Sequence, residues 1–191
     1  MPRITQFIVL ASVLNWFAVP LQAFQGTKET LVHDYVNCDF GYSVHVPEGL
    51  VGRVPFFARH GFDMVLPDGR STITVYNEYN MLDRPTLRSI ADNELQMEGK
   101  ENQQWRVGRY RKETLGGLPA IRATTSYLHD GAEWRDEYLI AYRPLQKDRE
   151  GNIVYVVQLF APEESLSAAL GKFQEVARGF KLTKIPHGPC R

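Results

Sequence analysis

The sequence is sparing with the features that usually announce a chemistry. It has two cysteines, whereas a closed zinc site takes four ligands. Its five histidines, His33, His45, His60, His129 and His187, include no pair at i, i+4 with a glutamate between them, so no zinc-protease helix is indicated. There is no Gly-x-Ser-x-Gly elbow, no phosphate-cradling glycine loop and no pair of carboxylates at a telling spacing. Net charge is absent as well, because 22 basic residues balance 22 acidic ones. A chain without a charge bias has no electrostatic reason to seek nucleic acid or an anionic membrane as a whole. No nucleic-acid partner, metal or cofactor is therefore expected. Beyond the N-terminus, no apolar run approaches the roughly 20 residues of a transmembrane helix.

The N-terminus itself is informative. Arg3 precedes an apolar stretch from Phe7 to Ala18, interrupted by Ser12 and Asn15, and Pro20-Leu21-Gln22-Ala23 follows. Positive charge, a short apolar core and a small residue before the cut are the parts of a secretory leader. Residues 1–23 are expected to be a signal peptide and 24–191 a single α+β domain, with its core over about 39–182. The other reading is an uncleaved N-terminal anchor. Export to the periplasm or the medium puts Cys38 and Cys190 in an oxidising compartment, where an even pair reads as a disulfide. Such a bridge closes nearly the whole domain, which the chain-entropy view values at about 5 kcal/mol as an upper figure. Two unpaired thiols are the alternative.

The interior is written in strand and turn patterns. Ile153–Phe160 is β-branched and aromatic on both faces, as an inner strand covered on both sides requires. Beyond Pro162, Leu166, Ala169, Leu170, Phe173, Val176 and Ala177 recur at helical spacing, predicting a helix over Pro162–Arg178. Asp39–Val46 alternates as a half-buried strand, and Leu50–Arg59 reads as an aromatic-packing loop. Phe62–Leu66 and Ser71–Tyr79 flank Pro67-Asp68-Gly69 as a hairpin. Pro85 opens a helix ending at about Glu98, since a first-turn Pro gives up only an orphan donor. Three strands follow over Gln104–Leu115, Pro119–His129 and Glu133–Arg143, with Gly116-Gly117 and Asp130-Gly131 between them. Phe180–Leu182 is a short last strand. Sequential strands with short turns imply a mainly antiparallel sheet, and the two amphipathic helices are expected to sandwich it.

Several of these pieces also resemble a known family. The opening strand Gly41-Tyr42-Ser43-Val44-His45-Val46-Pro47, the strand Ile73–Tyr79, the turn Gly116-Gly117-Leu118-Pro119-Ala120, the buried Ile153–Phe160 and the helix ending at Gly179-Phe180 are similar in order to the PsbP-like superfamily. That superfamily takes its name from an extrinsic photosystem II subunit and includes exported bacterial proteins. The resemblance spans about Asp39 to Leu182. It implies an antiparallel sheet with helices on it and a binding or assembly role, and it carries over no functional residue.

Two places hold candidate site residues. Trp105, Arg109 and Arg111 would share one face of an alternating strand, with Arg106, Tyr110 and Lys112 on the other. Aromatic area and guanidinium forks make a binding surface; the other reading is ion pairing with Glu133, Asp136 or Glu137 on neighbouring strands. His60-Gly61-Phe62-Asp63 offers a His/Asp pair for general-base work, with Ser71 as a distant nucleophile; a backbone-bonded turn histidine is the plainer reading. Trp134, Asp136, Tyr138, Ile140 and Tyr142 share a face, as core or as an aromatic groove. The function expected is an exported, non-enzymatic binding or assembly module with an envelope or secreted protein partner, or a small ligand between helix and sheet. The alternative is a small exported hydrolase using His60 and Asp63.

Overall fold

The computed structural model describes residues 30–54, 61–81, 85–99, 102–145 and 151–185. The elements run β1 (Thr30–Val32), β2 (Asp34–Asn37), β3 (Tyr42–His45), β4 (Gly52–Val54), β5 (Gly61–Val65), β6 (Thr72–Asn80), α1 (Leu87–Gly99), β7 (Gln103–Val107), β8 (Arg111–Leu115), β9 (Leu118–His129), β10 (Ala132–Pro144), β11 (Asn152–Pro162), α2 (Leu166–Gly179) and β12 (Phe180–Leu182). Nine strands form one antiparallel sheet in the order β1-β4-β5-β6-β11-β10-β9-β7, with β8 also on β9. A second sheet has the order β12-β3-β2.

β11 lies in the middle of the large sheet, between β6 and β10. Its side chains alternate between two apolar clusters. Ile153, Tyr155, Val157 and Leu159 face Phe173 and Val176 of α2 together with Tyr42 and Val44 of the small sheet. Val154 and Val156 face Ile90, Ala91 and Leu95 of α1. An inner strand buried on both faces needs this continuous apolar composition. The small sheet shares one face of the large sheet with α2. The Tyr155 hydroxyl donates to the Phe40 carbonyl at 2.7 Å, joining the two sheets through the core.

Turn chemistry sets the local order. Asp130 and Gly131 both have positive φ, 51° and 76°, in a two-residue hairpin that brings His129 opposite Ala132, the geometry an Asp-Gly pair favours. Asp68 holds the β5–β6 turn by accepting the Ser71 N–H at 2.8 Å and the Ser71 hydroxyl at 2.5 Å. At the start of α1 the Thr86 hydroxyl accepts the Ser89 N–H and the Ser89 hydroxyl accepts the Thr86 N–H, both at 3.0 Å. This is a reciprocal cap with Ser in the usual Glu place.

Five sequence expectations change. The strand predicted over Asp39–Val46 forms as β3 but belongs to the small sheet. The segment before it, to which no strand was assigned, carries β1 and β2, and β4 falls in the stretch read as a loop. Pro162 ends β11 opposite Trp134 instead of opening a helix; the turn Glu163–Ser165 intervenes, with the Ser165 N–H on the Pro162 carbonyl at 2.9 Å. The strand predicted over Gln104–Leu115 is two strands, β7 and β8, broken at residues 108–110.

Candidate functional site

The break between β7 and β8 decides where the predicted binding residues go. β7 places Arg106 opposite Ser126 and β8 places Arg111 opposite Arg122. Five residues therefore advance on one side while four advance on β9. A single extra residue reverses the facing of everything beyond it. Arg106 and Arg111 thus share a face that strict alternation denies them, and Arg109 joins them from the break. Trp105 goes to the opposite face, with its ring 5.5 Å from that of Tyr127 and packed in the α1 cluster with Tyr110. The expected grouping of Trp105 with Arg109 and Arg111 is therefore replaced by Arg106, Arg109 and Arg111. His60 lies outside the described residues.

The three arginines line a groove of about 360 Å³ together with Thr124, Ser126 and Arg135. The Gly108 N–H on the Thr124 carbonyl, at 2.7 Å, pins the break to the sheet. Of the carboxylates proposed as ion-pair partners, Glu137 is engaged elsewhere, Asp136 faces away, and Glu133 shares the groove's face of β10 without reaching ion-pair distance of the three arginines. Glu137 accepts Arg122 Nε at 2.7 Å and the Thr124 hydroxyl at 2.9 Å. Asp136 is on the other face of β10, and Arg135 pairs with Glu163 at 2.8 Å. Among the described residues no carboxylate lies within ion-pair distance of Arg106, Arg109 or Arg111. A larger hollow of about 580 Å³ beside α2 contains Arg122 and Arg178. There Arg122 is held by Glu137 and Glu113, and Arg178 donates to the Gln174 carbonyl at 3.2 Å.

On the α1 side a cleft of about 460 Å³ is lined by Asp63, Arg70, Thr74, Glu98, Asn102, Tyr127, His129, Trp134 and Phe160. Trp134 and Phe160 are half-buried there, so the Trp134 face of β10 is part core and part wall. Next to it Asp136, 1% exposed, accepts the Tyr127 and Tyr138 hydroxyls, each at 3.1 Å. Gln158 in turn donates to the Tyr138 oxygen at 2.7 Å. Burial pushes the Asp136 carboxyl up to about 7 against those donors, which favour the charged form. Glu94 on α1 is also raised, first by burial and then by Glu78 beside it. Asp63 accepts the Thr74 hydroxyl at 2.8 Å, and the Ser71 hydroxyl is turned to Asp68. His45 forms an exposed pair with Asp34 at 2.7 Å.

Sequence reasoning did not name Arg135 or Glu94 as site residues, and it named Arg106 and Asp136 without placing them in a site. Asp136 had a usable signal, a carboxylate alternating in step with Trp134, Tyr138 and Ile140 on one face. Glu94 had a weaker one, lying one residue before Leu95 on the inner side of α1. Arg106 had none, since the bulge that turns it is not written in the alternation. Among the described residues no three of His, Cys, Asp or Glu are grouped to hold a metal ion, and no helix is long and apolar enough to cross a membrane.

No family model and no curated protein matches the sequence. Solved structures do match the fold. LpqN of Mycobacterium tuberculosis, described as involved in cell envelope biogenesis, aligns with a TM-score of 0.58 at 18% identity, over 82% of this chain and 91% of that one. The cyanobacterial PsbP of Synechocystis sp. PCC 6803 aligns with a TM-score of 0.55 at 15% identity, over 80% of this chain and 92% of that one. At these identities the likeness is one of fold, and the fold of this chain is PsbP-like.

Proposed function

We propose that the chain is an exported, non-enzymatic binding or assembly module of the cell envelope, which meets its partner with the arginine-lined edge built by β7, β8 and the break between them. The carrying observation is that Arg106, Arg109 and Arg111 converge on one groove with no carboxylate partner among the described residues. In a chain of balanced charge, three guanidiniums held together unneutralised repel one another, and a complementary partner relieves that cost. The envelope role of LpqN and the leader-like residues 1–23 support the location. Envelope fractions are to be passed over immobilised mature protein and over its Arg106→Glu/Arg109→Glu/Arg111→Glu variant. A partner retained by the first and lost by the second supports the reading. Identical sets of retained proteins on both would refute it.

The leader, the mature domain over 24–191 and the Cys38–Cys190 bridge belong to the same proposal; Cys190 lies outside the described residues. Support for the bridge comes from the chain before it. The Thr183 N–H donates to the Gly41 carbonyl at 2.8 Å, and the Thr183 carbonyl accepts Arg143 Nη1 at 3.3 Å. This brings the C-terminal segment alongside the turn that carries Cys38. Thiol titration of the unfolded, unreduced mature protein is expected to find no free thiol; two per chain would refute the bridge.

A further inference from the structure

We propose that the Arg106/Arg109/Arg111 groove is a binding site for a phosphate monoester group, a proposal that rests on the binding role of this edge. Charge is the first argument. Four arginines line the groove (Arg106, Arg109, Arg111 and Arg135) and no carboxylate does. Arg135 is paired with Glu163, and Arg106, Arg109 and Arg111 have no carboxylate within ion-pair distance among the described residues. A phosphate monoester carries about −1.5 to −2 at neutral pH and would offset more of their charge than a single carboxylate.

Geometry is the second argument. Each guanidinium presents a planar fork of donors matched to oxyanions. The three reach the groove from a strand, a break and a second strand, so three such forks line one site. A tetrahedral group with several acceptor oxygens uses such an arrangement more fully than a planar carboxylate does. The engaged neighbours make the site firm: Glu137 fixes both Arg122 and Thr124, and Gly108 is tied to Thr124. The binding groups therefore sit on a sheet whose positions are already set, which lowers the ordering cost of capture.

The test is calorimetric titration of the mature protein with inorganic phosphate at low ionic strength, where exposed charges are least screened. Saturable binding is expected, weakened about tenfold by Arg109→Ala or Arg111→Ala, as for the loss of one charge-assisted hydrogen bond. Arg109→Lys, which keeps the charge and loses the fork, should fall between. Arg88→Ala on α1, where Arg88 pairs with Asp92, should bind as the wild type does. Flotation with phosphatidic-acid vesicles separates the two sources of the same chemistry. Response to vesicles without response to inorganic phosphate assigns the group to a lipid headgroup; response to both assigns a phosphate recognised in its own right. Phosphate binding that is unchanged in the Arg106→Ala/Arg109→Ala/Arg111→Ala variant overturns the site. So does acetate binding as tightly as phosphate, or no response to either phosphate source. A wild type without phosphate response whose envelope partner is still lost on charge reversal would overturn the phosphate assignment and leave the module role standing.

Discussion

The buried carboxyl of Asp136 makes stability depend on pH in an unusual direction. In the unfolded chain its pKa is ordinary, 3.8; in the fold it is raised to about 7, because a side chain 1% exposed has little water to solvate its charge. The folded state therefore holds a proton that the unfolded state has already released, and stability falls as pH rises between those two values. Complete ionisation would cost about 4 kcal/mol at ~1.4 kcal/mol per pH unit. Slight opening would admit water, so a loss of about 2–4 kcal/mol is expected. Glu94, raised from 4.5 to about 8, prolongs the fall towards mildly alkaline pH. Urea unfolding followed by circular dichroism, at steps from pH 4.5 to 9, measures the slope. Asp136→Asn should about halve it between pH 5 and 7, where Glu94 titrates as well, at a cost of about 1 kcal/mol at low pH for a less well matched hydrogen bond. Adding Glu94→Gln should remove the remainder. A wild-type stability that is flat or rising over pH 5–7, or a slope undiminished in Asp136→Asn, would refute this account.

Three further outcomes follow from packing and caps. Gly61→Ala would place a Cβ 2.1 Å from the Val75 carbonyl oxygen, so the β5–β6 pair must separate; a loss at or above the upper end of about 1–3 kcal/mol is expected in urea unfolding. Phe173→Ala empties the contact between α2 and β11, where the ring is 1% exposed, and should cost about 3–5 kcal/mol; a change below about 1 kcal/mol would mean that α2 is not part of the cooperative core. Thr86→Ala removes the reciprocal cap of α1 and should cost about 1 kcal/mol, with faster amide exchange in the first turn of α1 as its local signature.

The sequence by itself determined the local elements. An eight-residue run of β-branched and aromatic side chains has no stable place except an inner strand, and β11 is one. Asp130-Gly131 and Pro67-Asp68-Gly69 announced their turns because few residues adopt the backbone angles those turns need. Pro85 marked the start of α1 to within two residues. The tertiary structure decided what the strands pair with and which way their side chains turn. β3 alternates as a strand of either sheet would, and its place in the small sheet depends on partners, β2 and β12, that are distant from one another in sequence. Asp136 is spelled like a surface carboxylate; only the walls raised by α1 and the tyrosines of β9 and β10 make it a buried one. The arginine groove depends on a single extra residue between β7 and β8. Side-chain facing in a strand has period two, so one residue out of register moves Arg106 across to Arg111 and sends Trp105 to the other side. Composition and spacing name the groups that could bind, and the register of the sheet decides which of them stand together.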